Sequence, residues 1–383
     1  MILSKALMLL NAVFLTFCGL PYTAGAQIFP ASQFPKTDAV RLAEEAIIQH
    51  QADSIYHVLT PQQRAAQLIM VASSTYEKIG MPYSTAKNLV QSGVAGGVVF
   101  LKGPTKAFSA QTRELEQLTT SQPLRPLFAC DCEPSLFQMK WTDAEAVPKT
   151  NTLNTSAKVQ DAVDVINETM KATGVSLNFA PVADIGSNKT VINYRAFSSQ
   201  ADSVALRAAE FVRFTQAGNI GATVKHFPGH GNVKGDSHKQ LVFIDGPLTE
   251  LETFRKIIDA SQPAAVMIGH IGVRNNARYG TNGLPASLSP VIIQKLLREE
   301  MGYNGLITTD ALNMEAAKQV PDADFKSLQA GADIALMPVN PTALHARILK
   351  EMGQDTPLSR QLEKSVKRVI CYKLRYPATD QKP

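Results

Sequence analysis

The sequence predicts an α/β protein built as a single (β/α)8 barrel, because eight short apolar segments recur along the chain and helix-length segments separate them. The apolar segments are 67–72, 97–101, 126–130, 175–180, 221–225, 264–269, 305–309 and 333–337. Helices with apolar residues at three-to-four spacing are predicted over 161–173, 202–217, 248–260 and 290–301. Continuous apolar runs are typical of parallel strands buried on both faces. A doubly wound open sheet fits the same periodicity, although no glycine-rich phosphate loop follows the first strand.

Composition places the chain among ordinary globular proteins. Of the 383 residues, 45% are hydrophobic and 19% are charged, which suffices for a large core. The formal charge of +5 comes from 38 basic and 33 acidic residues that are scattered without a run of five like charges. This pattern does not indicate a nucleic-acid partner. It carries no signal for an oligomeric state.

Residues 1–26 are typical of a cleaved signal peptide. The apolar stretch over 6–20 is about 15 residues long, shorter than the roughly 20 that a spanning helix needs, and small residues follow at 24–26. We therefore expect an exported, periplasmic protein that begins at Gln27 and has no membrane span after cleavage. A lipoprotein anchored at Cys18 is the alternative, although a large residue precedes that cysteine where a small one is usual.

The mature chain is expected to contain one catalytic domain. Residues 27–60 form a polar lead-in with a helix over 40–48, and residues 61–383 form the barrel. A final helix over 358–376 has apolar residues three to five apart and is predicted to close the barrel.

Polar residues follow most of the predicted strands. They are Asp131, Glu133, Asp184, Lys225, His226, His270 and Asp310. In a barrel of this kind the chemistry lies where strands end and the following loops begin. A single polar residue at such a position is usually a cap or a satisfied interior group. Five polar strand ends together indicate an active site.

The densest group of candidate residues is a loop that contains His226, His230 and His238, three of the seven histidines. Proline and glycine residues exclude a helix there, so the histidines are not aligned as a helical metal pair. Asp236 and His238 are two residues apart, and in an extended segment such residues point to the same side. The carboxylate would then hold the imidazole and raise its pKa, which suits a proton donor and acceptor. A metal-dependent hydrolase that binds an ion through this loop is a second interpretation.

Several motifs together resemble the bacterial β-N-acetylglucosaminidases of glycoside hydrolase family 3. They are Lys-His-Phe-Pro-Gly-His-Gly at 225–231, Asp-Ser-His at 236–238, Asn-Phe-Ala-Pro-Val-Ala-Asp at 178–184, Asn-Tyr-Arg-Ala-Phe at 193–197 and Thr-Thr-Asp-Ala-Leu-Asn-Met at 308–314. The resemblance extends over roughly residues 60–350.

This resemblance implies a retaining β-N-acetylhexosaminidase that hydrolyses terminal β-linked N-acetylglucosamine from a glycan. Asp310 would attack the anomeric carbon to form a glycosyl-enzyme, and His238 supported by Asp236 would be the acid/base. The residues implied to bind the sugar are Asp131, Arg195, Lys225 and His226. We expect neither a metal nor another cofactor. Peptidoglycan fragments, chitin oligomers and host glycans are all candidate substrates, and water or phosphate could be the acceptor.

The segment after Asp131 departs from the family pattern. Pro134, Ser135 and Met139 occupy positions where the family typically has two glycines and a substrate-binding arginine. Lys140 is an imperfect replacement, since an ammonium does not reproduce the fork of a guanidinium. The departure keeps a third interpretation open, a catalytically inactive, exported glycan-binding barrel. Glu133 and Asp184 are expected only to orient their neighbours.

Overall fold

A computed structural model describes residues 38–186, 192–233, 235 and 240–377. The predicted signal peptide and both members of the predicted acid/base pair, Asp236 and His238, lie outside the described residues. The chain divides into two compact units, Met1–Ala46 and Ile47–Pro383. The described part of the first unit is the beginning of one helix, and the second unit contains all strands given below.

Eight parallel strands form a closed ring in the second unit. The structure describes ten strands, eight of the ring and two outside it, which in chain order are β1 (Ile69–Ser73), β2 (Gly97–Phe100), β3 (Leu127–Cys130), β4 (Leu177–Asn178), β5 (Gly221–Phe227), β6 (Val242–Asp245), β7 (Ala265–Ile268), β8 (Ile271–Arg274), β9 (Leu306–Thr309) and β10 (Ala335–Leu336). The sheet order is β10-β1-β2-β3-β4-β5-β7-β9, and a parallel bridge between Thr308 and Ile334 joins its two ends. The predicted (β/α)8 barrel is confirmed, with a strand in each of the eight predicted segments. Strands β6 and β8 form a separate two-stranded parallel sheet.

Helices connect these strands. They are α1 (Asp38–Val58), α2 (Pro61–Ala66), α3 (Tyr83–Gln91), α4 (Thr105–Leu118), α5 (Phe137–Lys140), α6 (Ser156–Ala172), α7 (Ala201–Ala217), α8 (Leu251–Ser261), α9 (Val291–Glu300), α10 (Glu315–Lys318), α11 (Ala323–Gln329), α12 (Pro341–Met352) and α13 (Pro357–Arg375). The predicted crossover helices correspond to α6, α7, α8 and α9, of which α9 is wound as a π-helix. Within the described ranges, none of these helices has both the length and the apolarity needed to cross a bilayer.

The alternation of side chains along each strand divides the core into two layers. Val71 of β1 packs in the layer between strands and helices, whereas Met70 points into the barrel. The interior cluster consists of Met70, Ala72, Val99, Leu127, Ala129, Leu177, Phe179, Ala265, Met267, Leu306, Ile334, Leu336, Val369 and Tyr372. Both layers are apolar, which is why the strands appear in the sequence as uninterrupted apolar runs.

Helix α13 covers the amino-terminal end of the barrel. Its Val369 and Tyr372 belong to the interior cluster, and the Tyr372 hydroxyl donates a hydrogen bond of 2.7 Å to the carbonyl of Ser176, just before β4. A Cβ atom on Gly221, the first residue of β5, would lie 2.2 Å from that hydroxyl. Glycine is therefore required there for the tyrosine to reach its place.

Replacing Tyr372 with phenylalanine is expected to lower the free energy of unfolding by about 1 kcal/mol, because the buried carbonyl of Ser176 loses one of its two donors and keeps only the Gly221 N–H. Urea denaturation measures this change. Tyr76→Phe is the matched control, since Tyr76 is 42% exposed and its substitution should alter stability by less than about 0.5 kcal/mol. Both variants should keep the wild-type fold, and an unchanged stability of Tyr372→Phe would contradict the role given to this hydroxyl.

Candidate active site

A buried cluster of charges lies at the carboxyl-terminal ends of β3 and β5. Lys225 of β5 is 2% exposed, and its Nζ lies 2.5 Å from Asp131 Oδ1 and 2.6 Å from Glu133 Oε1. Arg195 holds Glu133 with both prongs of its guanidinium, Nε to Oε2 at 2.8 Å and Nη2 to Oε1 at 2.6 Å. Three of the four predicted sugar-binding residues are thus brought together, with Glu133 as the link between Arg195 and Lys225.

Electrostatics keep Glu133 and Lys225 charged despite their burial. Burial alone would raise the pKa of Glu133, but Arg195 and Lys225 outweigh it and hold that pKa well below the ordinary range. Burial likewise would lower the pKa of Lys225, yet Asp131 and Glu133 raise it instead. Glu133 therefore compensates two buried cations, which is more than the orienting role expected from the sequence. The signal was its spacing, since residues 131 and 133 share one side of an extended segment.

Replacement of Glu133 by glutamine is expected to lower the free energy of unfolding at pH 7 by about 3–5 kcal/mol, because a buried anion between two cations is removed. The stability that Glu133 contributes is present above its unfolded-state pKa, near 4.5, and is lost as the pH falls towards the lower folded-state pKa. Between pH 7 and pH 3 the free energy of unfolding, measured by urea denaturation, should fall less in Glu133→Gln than in wild type. Glu315→Gln, at an exposed pair with Lys318, should match wild type; equal slopes in Glu133→Gln and wild type would contradict the prediction.

Lys140 is a second cation beside Asp131. It is the last residue of α5, and its Nζ lies 3.5 Å from Asp131 Oδ2. Met139, at the position where the family typically has arginine, is 60% exposed. Lys140, one residue after the expected arginine position, therefore does reach Asp131, the predicted sugar-binding carboxylate.

Asp184 organises the two histidines that follow Lys225. Its buried carboxylate accepts the backbone N–H of His226 at 3.2 Å and that of His230 at 2.7 Å. His226 Nδ1 lies 2.7 Å from Asp184 Oδ2, so Nδ1 carries a hydrogen and the ring orientation is fixed. Burial raises the pKa of Asp184, but His226 and His230 reverse the shift and lower it. Burial lowers the pKa of His230.

Asp310 follows β9 at the same end of the barrel. Its backbone N–H donates to the carbonyl of Ile268 at 2.9 Å, and its Oδ1 accepts the N–H of Ala311 at 2.8 Å. Burial raises the pKa of Asp310, but His270 and His226, with smaller contributions from the Ala311 amide and Lys225, lower it overall. The result is an ionised carboxylate in electrostatic contact with the charge cluster, which is the state that a nucleophile requires.

His270 lies two residues after β7 and contacts the carbonyl of Ala311, the residue that follows Asp310. Its Nε2 lies 2.9 Å from the carbonyl of Ala311, which can only accept, so Nε2 is the donor. Its Nδ1 lies 2.7 Å from Ser287 Oγ. The sequence placed His270 among the polar strand ends without a role, and its strand-end position was the available signal.

The described residues also bear on the metal interpretation. The rings of His226 and His230 have centroids 6.2 Å apart, and Asp184 occupies Nδ1 of His226. In the part of the chain that the structure describes, no three His, Cys, Asp or Glu side chains are grouped to hold a metal ion. The third histidine of that interpretation, His238, lies outside the described residues.

Comparisons with known proteins agree with this architecture. Residues 60–371 match the family model described as the glycosyl hydrolase family 3 N terminal domain. The chain also superposes on a glycoside hydrolase family 3 beta-N-acetylglucosaminidase from Paenibacillus sp. with a TM-score of 0.74 and 27% identity, covering 85% of this chain and 64% of that one.

Curated relatives match a shorter region. The chain is 35% identical over 191 residues to beta-hexosaminidase A of Pseudoalteromonas piscicida, which covers 45% of this chain and 32% of the relative. It is 36% identical over 176 residues to a beta-hexosaminidase of Stenotrophomonas maltophilia, which covers 44% of this chain and 51% of the relative. The matches thus span about a third and about half of the relatives' own lengths.

Proposed function

The chain belongs to glycoside hydrolase family 3, and on that premise we propose that it is a retaining β-N-acetylhexosaminidase acting on terminal β-linked N-acetylglucosamine. The observation that carries the proposal is the ionised carboxylate of Asp310 at a strand end, beside the buried Lys225 cluster. The beta-hexosaminidase relatives and the superposed beta-N-acetylglucosaminidase support the choice of sugar.

The proposed reaction proceeds in two displacements. Asp310 attacks the anomeric carbon while the bond from that carbon to the leaving oxygen breaks, and His238, oriented by Asp236, donates its proton to that oxygen. Because Oδ1 accepts the Ala311 hydrogen bond, we assign the attack to Oδ2. Water then attacks the anomeric carbon and gives a proton to His238, and the ester bond to Asp310 breaks. The carboxylate and the protonated imidazole are both regenerated.

The charge cluster is proposed to bind the sugar. Asp131 is partly exposed and accepts sugar hydroxyls, and Lys140 beside it is a second cationic contact. Lys225 has one hydrogen left after its two carboxylate contacts, and we assign it to a sugar hydroxyl. His226 and Arg195 complete the proposed subsite, each already held by a buried carboxylate.

Turnover of a chromogenic N-acetyl-β-glucosaminide tests the activity, with Asp310→Asn as the blank. A catalytically inactive glycan-binding barrel would bind the sugar without turnover, which would overturn the proposal. A metal-dependent hydrolase would lose activity on chelator titration and regain it with added metal. Adding inorganic phosphate and analysing the product as free sugar or sugar phosphate distinguishes hydrolysis from phosphorolysis.

We also propose that residues 1–26 direct export to the periplasm and are removed before Gln27. Their charged start, apolar stretch and small-residue end support this proposal. The intact mass of the protein recovered from the periplasm of an expressing bacterium tests it. A mass that begins at Gln27 is expected, and a lipid-modified Cys18 or an uncleaved chain would contradict it.

A further inference from the structure

Glu250 is a buried carboxylate that neither the motifs nor the proposed chemistry uses. It precedes α8 and is 3% exposed. Its Oε2 accepts the backbone N–H of Ile185 at 2.7 Å, and its Oε1 accepts that of Asn232 at 3.0 Å. The backbone amide of Gly231 is a third hydrogen-bond donor to it. One side chain therefore ties together the segments that follow β4 and β5 and the start of α8.

The backbone closes tightly around this carboxylate. A Cβ atom on Gly231 would lie 2.7 Å from Glu250 Oε2 and 1.9 Å from the carbonyl oxygen of Ile185. Gly229 has φ +127°, and a Cβ atom there would lie 2.6 Å from the Cβ of Glu250. The two glycines of the loop motif are thus explained by contact with Glu250 and with the backbone beside it.

Two buried carboxylates divide the amides of this loop between them. Asp184 accepts the backbone N–H groups of His226 and His230, and Glu250 accepts those of Gly231 and Asn232. Burial and the charge of Asp184 raise the pKa of Glu250 to about 8, despite the amide hydrogen bonds that lower it. The surroundings of Glu250 therefore disfavour its charged form. Its two oxygens nevertheless serve as acceptors for backbone N–H groups, and these hydrogen bonds fix the loop backbone.

The fixed segment, residues 226–233, leads within three residues to Asp236. We propose that Glu250 is a positioning residue that sets the start of the loop carrying the acid/base pair of Asp236 and His238. This inference rests on the proposed function. It assigns Glu250 an effect on proton transfer to the leaving group, not on nucleophilic attack.

Glu250→Gln tests the inference, because both oxygens of a carboxyl group can accept a hydrogen bond whether it is ionised or protonated, whereas the nitrogen of the amide cannot accept one. We expect kcat/KM on N,N'-diacetylchitobiose, whose sugar leaving group needs a proton, to fall by about tenfold to a hundredfold. On a 2,4-dinitrophenyl N-acetyl-β-glucosaminide, which needs no proton, we expect a loss below about threefold. Glu250→Asp keeps both acceptor oxygens on a shorter stem and should lie between wild type and Glu250→Gln on chitobiose.

Asp333→Asn is the matched control. Asp333 is also a fully buried carboxylate, at the opposite end of the barrel, where it accepts the N–H of Ile307 and the hydroxyl of Ser365 and pairs with Arg298 and Arg368. Its substitution should lower thermal stability without any difference between the two substrates. Equal losses on both substrates in Glu250→Gln would overturn the inference, as would no loss on either. If His238→Ala shows no leaving-group dependence, the proposed acid/base fails instead. If only Glu250→Gln and Glu250→Asp lack it, the inference fails alone.

Discussion

Asp310→Asn is expected to lose several orders of magnitude in kcat/KM while it retains the wild-type fold. The amide cannot form the glycosyl ester, so the reaction loses its covalent intermediate, whereas the hydrogen bond from Ala311 to the side-chain oxygen can persist. Steady-state kinetics on an aryl N-acetyl-β-glucosaminide measure the loss. Circular dichroism and thermal melting verify the fold.

A matched substitution separates this effect from general loss of a carboxylate. Asp322 is exposed and pairs with Arg347, so Asp322→Asn should retain wild-type kinetics. Incubation with a slow fluorinated glycosyl donor should add one sugar mass to the wild-type peptide containing Asp310, and none to the same peptide of Asp310→Asn. A folded Asp310→Asn protein with a tenth of wild-type activity would exclude Asp310 as the nucleophile.

His238→Ala is expected to show a defect that depends on the leaving group. On N,N'-diacetylchitobiose, kcat/KM should fall by about 10²–10⁴-fold, because the departing oxygen is no longer protonated. On an activated aryl glycoside kcat/KM should fall far less, since that group departs unaided and kcat/KM reports the first displacement. Asp236→Asn should show the same dependence by a smaller factor. In the proposed mechanism the Asp236 carboxylate orients the His238 imidazole and raises its pKa, and the amide would do neither as well.

The same variants discriminate between acid/base catalysis and metal binding. If His238 bound an essential metal, His238→Ala would lose activity on both substrates alike. The wild-type protein would then contain the metal in stoichiometric amount. Metal analysis of the purified wild-type protein is therefore run beside the kinetics. Equal losses on both substrates, or stoichiometric zinc, would rule out the Asp236–His238 pair as the acid/base.

The barrel was predictable because its strands are buried on both faces, which makes segments such as 97–101 and 264–269 uninterrupted apolar runs. Strand β6 escaped prediction for the opposite reason. Only Val242 of its four residues is buried, and the strand exists because it pairs with β8. Its partner lies far along the chain and directly follows β7, so no local pattern marked either strand.

For the site as well, features marked by a local sequence pattern were predictable, and features that depend on distant contacts were not. Asp131, Lys225 and Asp310 could be named as candidates because barrel topology gathers strand ends, and residue type at those ends is visible in the sequence. Glu250 was not found, because it precedes a helix and its partners are backbone N–H groups, which every residue but proline carries. Glu133 was found, but its role was not, since compensation of Arg195 requires a contact that spacing alone does not reveal.

The pairing of β1 with β10 makes closure of the ring depend on parts of the sequence that are far apart. Ile69 and Met70 pair on one side with Ala335 and Leu336, and Tyr372 of α13 packs into the amino-terminal end of the barrel interior. Such distant contacts form more slowly than the contacts within neighbouring strand and helix pairs, because a long loop must close first. We therefore expect the barrel to close late in folding, after the local strand and helix pairs have formed.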